Sequence, residues 1–253
     1  MFSEIKQYTV TQQIIRQIHT RIIAGQLSPG DKLPSENELV KQFGISKQTL
    51  RESLRALEHM GLIESKKGTG GGTFVIEVDA SITKLGLLNY FYFQNLSIKD
   101  LSMIRKLIDP FTAKIAAKSM SVADIEKLKK LNVSAKKHIK NNMYDSAMVD
   151  LVRLHSQIAK QANNPFIVLL VDFIEDILVD YKKVFQMGVK ELEIVLEAHE
   201  RIYQAIKDRD EERAAKEMFD HVEALEQNLR EKEENVSLKE VYSKTAFHNF
   251  NNF

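Results

Sequence analysis

Three of the seven histidines in this chain of 253 residues have the residue type and spacing of metal ligands. His155, His199 and His221 lie on the apolar stripes of three separate predicted helices, so each is expected to point into a helical bundle. Imidazole nitrogens bind zinc, nickel and similar divalent ions. A single inward histidine is more often a hydrogen-bonded core residue, and that alternative stays open. Together, the three indicate a buried divalent metal site.

A second group of residues, at the start of a short predicted helix, has the types that contact DNA. After the N-cap Ser46 come Lys47, Gln48 and Thr49, and Arg51 follows one turn after Lys47. Lysine and arginine can donate to guanine O6 and N7, glutamine can pair with adenine, and threonine suits a phosphate or a thymine methyl. A solvated helix face is the alternative. The helix and tight turn before this segment favour insertion into a major groove.

A glycine-rich hairpin is predicted after this recognition helix. Two β-like segments, 62–65 and 73–77, flank a run that contains Lys67, Gly70 and Gly71. The glycines would let the backbone approach DNA closely, and the lysine is near enough for a phosphate contact. Such a hairpin is typical of the wing that follows a helix-turn-helix.

Glycine divides the chain into two parts of different character, because eight of the ten glycines fall before residue 73. We expect a mainly α fold with three segments: a winged helix-turn-helix domain at 1–78, an all-helical bundle for effector binding and dimerisation at 79–235, and a tail at 236–253 to which the pattern assigns no role. The bundle should hold six or seven helices. They are predicted near residues 81–92, 98–119, 122–141, 143–162, 164–186, 188–208 and 210–234.

Composition excludes several classes of function. The sequence has no cysteine, so disulfides, thiol catalysis and thiolate metal sites are absent. The formal net charge is only +1, but residues 41–67 carry six basic against three acidic side chains, a local excess suited to phosphates. The chain has neither a signal-peptide pattern nor an apolar run of about 20 residues. We therefore expect a cytoplasmic protein without a membrane segment.

Residues 10–76 resemble the winged-helix domain of the GntR family of bacterial transcription regulators. The resemblance is carried by Ile22-Ile-Ala-Gly-Gln-Leu-Ser-Pro-Gly-Asp-Lys-Leu-Pro-Ser-Glu36, Phe43-Gly-Ile-Ser46, Leu50-Arg-Glu-Ser-Leu-Arg-Ala-Leu-Glu58, Gly61-Leu-Ile-Glu64 and Gly70-Gly-Gly-Thr-Phe-Val75. It implies DNA contacts from Ser35, Asn37, Lys47 and Arg51. Asn37 and Lys47 stand where the family usually has arginine, so the operator sequence is expected to differ from those of relatives.

Residues 98–234 resemble the all-helical effector domain of the FadR subgroup of the same family. The matching pieces are Ile104-Arg105 with Asp109-Pro110, His155 with Asn164-Pro165, and the run from His199 to His221. Many members bind a divalent metal through one aspartate and three histidines, which implies His155, His199 and His221 as ligands here. The resemblance also implies effector-binding roles for Arg105 and Asn164.

The carboxylate of that ligand set does not carry over. The family aspartate lies four residues before the first histidine, where this chain has Leu151. Asp150 is about 140° away from His155 around a helix, and a surface pair with Arg153 is its ordinary role. Three possibilities stay open: a three-histidine site completed by water or an effector carboxylate, a helix irregularity that brings in Asp150, and loss of the metal.

Arg105 also has two interpretations. An arginine partly on an apolar stripe can clamp a small carboxylate in bidentate fashion. The alternative is an ion pair with Asp109, one helical turn along the chain.

These features favour a dimeric, ligand-responsive transcription regulator that acts on double-stranded operator DNA. By resemblance it is a repressor that responds to a small organic or sugar acid at the metal site. A metal-free regulator that responds to an acyl-CoA is the alternative. A metalloenzyme carrying a DNA-binding module is disfavoured, because no general base or nucleophile accompanies the histidines. We therefore expect no catalytic residues.

Overall fold

The computed structural model describes residues 8–94, 96–184 and 188–233, with the side chains of 180–184 and 231–233 excepted. The chain divides into two compact units after Gly86, inside the fourth helix. The boundary expected between residues 78 and 79 stays a prediction. The tail expected at 236–253 lies outside the described residues.

The first unit contains three helices and a hairpin, as the sequence predicts, followed by the start of the fourth helix. Its elements are α1 (Val10–Ile23), α2 (Glu36–Phe43), α3 (Lys47–His59), β1 (Ile63–Lys66) and β2 (Gly72–Val75). The strands pair antiparallel, from Ile63 opposite Val75 to Lys66 opposite Gly72. Helices and hairpin share one apolar core. Its fully buried members include Ile14, Leu50, Leu57 and Ile63.

Local chemistry fixes the turn between α2 and α3. The backbone N–H of Glu38 donates to Ser35 Oγ while the Glu38 carboxylate accepts from the Ser35 backbone, so a capping box begins α2. Gly44 ends that helix at φ 66°, a left-handed conformation that favours glycine. Ser46 then caps α3 through the N–H of Thr49. The start of α3 is therefore held rigidly relative to α2.

The remaining helices form a bundle, and the predicted mainly α fold is confirmed. They are α4 (Ala80–Phe93), α5 (Ile98–Ser119), α6 (Val122–Lys140), α7 (Tyr144–Ala159), α8 (Pro165–Val184), α9 (Val189–Lys207) and α10 (Glu211–Glu233). A 3-10 turn, Lys160–Ala162, follows α7. Within the described residues these seven helices match the predicted ones in order and in approximate bounds. No helix in this part of the chain is long and apolar enough to cross a membrane.

The bundle packs around α5. This helix contacts α7, α8, α9 and α10, and two apolar clusters lie along it. One cluster surrounds Ile98 and Leu101 near its start, and the other surrounds Ala113 and Ala117 near its end. Buried polar side chains, Arg105 and Asp109, occupy the middle of the helix. The middle of α5 therefore places two buried charged side chains between the apolar clusters.

Candidate metal centre and nucleic-acid interface

The three predicted histidines meet inside the second unit. His155 comes from α7, His199 from α9 and His221 from α10, and none is more than 4% exposed. The Nε2 atom of His199 lies 3.2 Å from that of His155 and 3.3 Å from that of His221. The apolar stripes of three helices thus bring three ring nitrogens to one point.

This convergence is difficult to satisfy with hydrogen bonds alone. Each ring nitrogen of a neutral imidazole carries either one proton or one lone pair. His199 Nε2 therefore makes a good hydrogen bond with only one of its two neighbours, and the other contact is left incomplete. A tetrahedral ion bound at about 2.0–2.1 Å sets its nitrogen ligands about 3.3 Å apart. The observed separations of 3.2 and 3.3 Å fit such an ion.

A buried ionic group lies beside His155. Arg105 Nε donates to Asp109 Oδ2 at 2.9 Å, and its Nη2 atom lies 2.8 Å from Glu175 Oε1 on α8. The same Nη2 atom is 3.3 Å from His155 Nδ1 and 3.4 Å from its Nε2. Asp109 and Glu175 form a second potential metal-binding group with His155. Sequence reasoning missed Glu175, although Val171 and Leu178 place it on an apolar helix face.

The protonation of this group follows from its internal pairing. Burial by itself lowers the pKa of Arg105, but the carboxylates of Glu175 and Asp109 outweigh burial and raise that pKa above its usual value. Burial raises the pKa of Asp109, but Arg105 and His155 outweigh it and hold that pKa below its usual range. Arg105 and Asp109 are therefore both charged at neutral pH.

The start of α3 presents the residues expected to contact DNA. Lys47, Gln48 and Arg51 are exposed. Glu36, at the start of α2, pairs with both cations: its Oε2 lies 3.6 Å from Lys47 Nζ and 3.2 Å from Arg51 Nε. Because these side chains are half exposed, the pairs are weak. They orient the two cations without removing them from reach of a phosphate or base.

Three other residues expected at the DNA surface stabilise the starts of α2 and α3. Ser35 caps α2, and Ser46 caps α3. Thr49 Oγ1 lies 2.8 Å from Ser46 Oγ, so the hydroxyl of Thr49 is already engaged. Asn37 is exposed next to these caps. Direct DNA contacts by these side chains stay a prediction.

The wing requires glycine for steric reasons. Lys67 and Gly70 are exposed in the hairpin turn, and Gly70 has a φ of 86°. A Cβ atom on Gly71 would lie 2.4 Å from the backbone oxygen of Lys66. The turn between β1 and β2 is therefore closed by backbone contacts that a larger residue would disrupt.

The two units of the chain match two family models. Residues 10–75 match the model described as bacterial regulatory proteins, gntR family, and residues 100–224 match the FCD domain. The chain belongs to the GntR family. As a GntR-family protein it is a DNA-binding transcriptional regulator, not an enzyme.

Relatives of this GntR-family chain match it over most of their length. The HTH-type transcriptional regulator YcbG of Bacillus subtilis is 28% identical over 229 residues, which cover 89% of this chain and 92% of YcbG. The regulator LutR of the same species is 29% identical over 212 residues, covering 81% and 94%. The structure of Streptococcus agalactiae GntR has a TM-score of 0.59 at 22% identity, covering 86% of this chain and 99% of that one. This structural likeness concerns the fold alone.

Asp150 does not belong to the candidate metal centre of this GntR-family protein. It is 7% exposed, and its Oδ2 lies 2.9 Å from His138 Nδ1, at the end of α6. Helix α7 is continuous from Tyr144 to Ala159, so no irregularity turns Asp150 toward His155. The structure thus favours neither the open possibility that Asp150 is a metal ligand nor its ordinary role as a surface partner of Arg153. Sequence reasoning missed His138, because its partner comes from another helix.

Asn164 also has a local role. It is exposed, and its Oδ1 accepts from the backbone N–H groups of Phe166 and Ile167 at 2.9 and 3.3 Å. The side chain therefore caps the start of α8. Its expected contact with an effector stays a prediction.

A cavity of about 240 Å³ lies between α9 and α10. His221 forms part of its wall. Its charged lining residues are Glu191, Arg201 and Asp220, and apolar ones such as Val195 and Leu225 line the rest. The mixture of apolar and polar side chains beside an imidazole suits a small organic molecule.

Proposed function

We propose that this regulator is a homodimeric repressor that leaves its operator when a small organic acid binds a divalent metal held by His155, His199 and His221. Zinc or nickel suits three imidazole ligands. The observation that carries the proposal is the meeting of three buried Nε2 atoms at separations of 3.2 and 3.3 Å. When bound, the ion would supply a Lewis-acidic position for a ligand oxygen.

The charges around the histidines support an acidic effector. Arg105 contributes one positive charge, and Asp109 and Glu175 contribute two negative charges, so the buried group has a net charge of −1 with neutral histidines. A divalent ion changes this to +1. A carboxylate then restores neutrality, which matters because an uncompensated charge is costly in a buried site. The site therefore favours an anionic ligand once the metal is present.

The size of the cavity supports a small acid over an acyl-CoA. The space at His221 is about 240 Å³, below the usual range of ligand pockets, about 300–1,000 Å³, and far below what an acyl-CoA requires. A larger depression of about 900 Å³ lies between α6 and α9. Its charged lining residues are Lys136, Lys140, Glu193, Glu197 and Glu200, and none of the three histidines lines it.

The DNA-binding half supports a homodimer. Its operator DNA lies in the cytoplasm, which is therefore the expected location of the protein. One recognition helix reads about one half-site, and a helix-turn-helix protein gains affinity and specificity from a second copy about one turn away. The exposed group of Lys47, Gln48 and Arg51 would serve each half-site. Effector binding then changes DNA affinity only by favouring one arrangement of the dimer over another.

The proposal is tested with full-length protein and an operator selected from a random DNA library. Metal content is measured by elemental analysis, and DNA binding by gel shift after chelation and after reloading with zinc or nickel. We expect metal-loaded protein to release the operator when sugar acids or small hydroxy acids are added. The His199→Ala variant should bind no metal and should still bind the operator, but the acid should no longer release it from the DNA.

Two results would contradict parts of the proposal. Wild-type protein that is folded and takes up no metal excludes the metal-dependent effector site. If the acid instead tightens DNA binding, the effector site is still supported. The protein would then not be a repressor that its effector releases from DNA.

A further inference from the structure

The three histidines leave a zinc ion one ligand short of its usual four. The residue one turn before His155, on the same side of α7, is Leu151, which is 4% exposed in an apolar cluster and offers no ligand atom. An additional ligand must therefore come from another helix or from solvent. The nearby carboxylates among the described residues are those of Asp109 and Glu175.

Glu175 is the carboxylate whose oxygen lone pairs accept no hydrogen bond from a described group. It is 1% exposed, and neither of its oxygens has a hydrogen-bond partner among the described groups. Its contact with Arg105 Nη2 at 2.8 Å is an ion pair without the angles of a hydrogen bond. A buried carboxylate in this condition is costly. Its lone pairs are available to a cation.

Asp109 is already committed. It accepts from Arg105 Nε at 2.9 Å across one turn of α5, and it lies 3.6 Å from His155 Nδ1. A carboxylate on the Nδ1 side of a histidine orients the ring and leaves Nε2 directed at the metal. Asp109 is therefore a positioning residue for His155. Glu175 Oε1 also lies on the Nδ1 side of His155, at 3.9 Å. Unlike Asp109 it accepts no hydrogen bond from a described group, so Glu175 is the carboxylate that can turn toward the metal once Arg105 withdraws.

Arg105 links Glu175 to the histidine group. Its Nη2 atom is 2.8 Å from Glu175 Oε1 and 3.4 Å from His155 Nε2, so one guanidinium nitrogen separates the carboxylate from the metal-facing nitrogen. A divalent ion at the three Nε2 atoms repels this guanidinium. Arg105 keeps Asp109 as its partner when it withdraws from Glu175.

We propose that Glu175 is the carboxylate ligand of the metal, in place of the ligand that Leu151 cannot provide, and that Arg105 holds this carboxylate at the site before the ion binds. This inference rests on the proposed metal site. It adds a ligand from α8 to those from α7, α9 and α10, so metal binding would join four helices of the bundle.

The test compares zinc affinity in full-length wild type, Glu175→Gln and Glu175→Gln with Leu151→Asp. Affinity is measured by competition with a chromophoric chelator, and circular dichroism checks folding. The single variant should bind zinc at least about tenfold more weakly, the size of effect expected when a metal site is disrupted. Aspartate at position 151, one turn before His155, should restore most of the affinity of the glutamine variant. Leu151→Asp alone should add little to wild type, whose carboxylate position Glu175 already fills, whereas a merely structural role of Glu175 predicts a similar gain in both.

Each outcome has a distinct meaning. Equal zinc affinity in wild type and Glu175→Gln overturns the role of Glu175 and leaves the three-histidine site intact. Folded wild type that binds no zinc overturns the metal site, and this inference with it. If the glutamine variant does not fold, a crystal structure of zinc-loaded wild type decides: a Glu175 oxygen at about 2.0–2.2 Å from zinc supports the assignment, and one beyond that distance overturns it.

Discussion

Replacement of Arg105 by methionine should destabilise the metal-free protein strongly. The substitution keeps an unbranched side chain and removes the cation shared by Asp109 and Glu175, whose side chains are 3% and 2% exposed. Carboxylate oxygens of these two residues lie within 4.8 Å of each other. At an effective dielectric constant of about 20, two such charges repel by about 3.5 kcal/mol. Loss of one partner from a buried ion pair costs about 3–5 kcal/mol. We therefore expect a loss of about 3–5 kcal/mol.

The assay is urea unfolding followed by circular dichroism, in the presence of a chelator. Hydrogen exchange in α5 and α8 assigns the transition to the second unit. Lys106→Met is the matched control: the neighbouring lysine pairs with Glu226 at 2.7 Å, but its side chain is 24% exposed. Its loss should cost about 1 kcal/mol or less.

A rescue experiment distinguishes charge from packing. The double variant Arg105→Met, Glu175→Gln should recover a large part of the lost stability, because it removes one of the two uncompensated carboxylates. Excess zinc should also stabilise the single variant more than wild type, since the ion replaces the missing positive charge. A metal-free Arg105→Met protein within about 1 kcal/mol of wild type would refute the reasoning that these three side chains form one ionic unit.

Three further predictions concern local features. Arg51→Ala should weaken specific operator binding by about 1–3 kcal/mol in gel-shift titrations, and unchanged affinity would mean that α3 is not the recognition helix. Gly71→Ala should destabilise the wing by about 1–3 kcal/mol in urea unfolding of the first unit, because its Cβ would meet backbone 2.4 Å away; a neutral effect would show that the turn can open. Ser97→Ala should cost about 1 kcal/mol and raise the pKa of Asp100, which hydrogen bonds from Ser97 lower. A lowered carboxyl pKa stabilises the fold at pH values above the pKa of the unfolded chain, and this stability is lost as the pH falls through the folded pKa. The stability difference between variant and wild type should therefore shrink in acid. NMR titration measures the pKa of Asp100, and urea unfolding at several pH values measures the stability difference.

Helices and caps were predictable because their signals are local. Ser35 with Glu38, and Ser97 with Asp100, determine helix starts over three residues, and the structure has both capping boxes. The apolar spacing around each histidine similarly placed His155, His199 and His221 on inward helix faces. The meeting of their Nε2 atoms is a property of helix packing, for which the sequence offered only the coincidence of three inward rings.

The ionic neighbours of the histidines were less accessible to sequence reasoning. The pair of Arg105 with Asp109 was foreseen as an alternative because it spans one helical turn. Glu175 lies on a different helix, and its position on an apolar face was the available signal. For Asp150, helical geometry correctly excluded the face of His155. Its contact with His138 depends on how α6 packs against α7, which the spacing within one helix does not determine.

Arg105 is already paired with two carboxylates, and this pairing changes how the effector should be recognised. A free arginine could clamp an incoming carboxylate directly, but Arg105 already contacts two buried carboxylates at 2.8 and 2.9 Å. An effector that used Arg105 alone would have to displace one of them and leave its charge uncompensated. A metal ion removes this conflict, because its charge offsets both the displaced carboxylate and the effector. Recognition of the acid should therefore require the metal, and Arg105 should contribute by setting where Glu175 lies before the ion arrives.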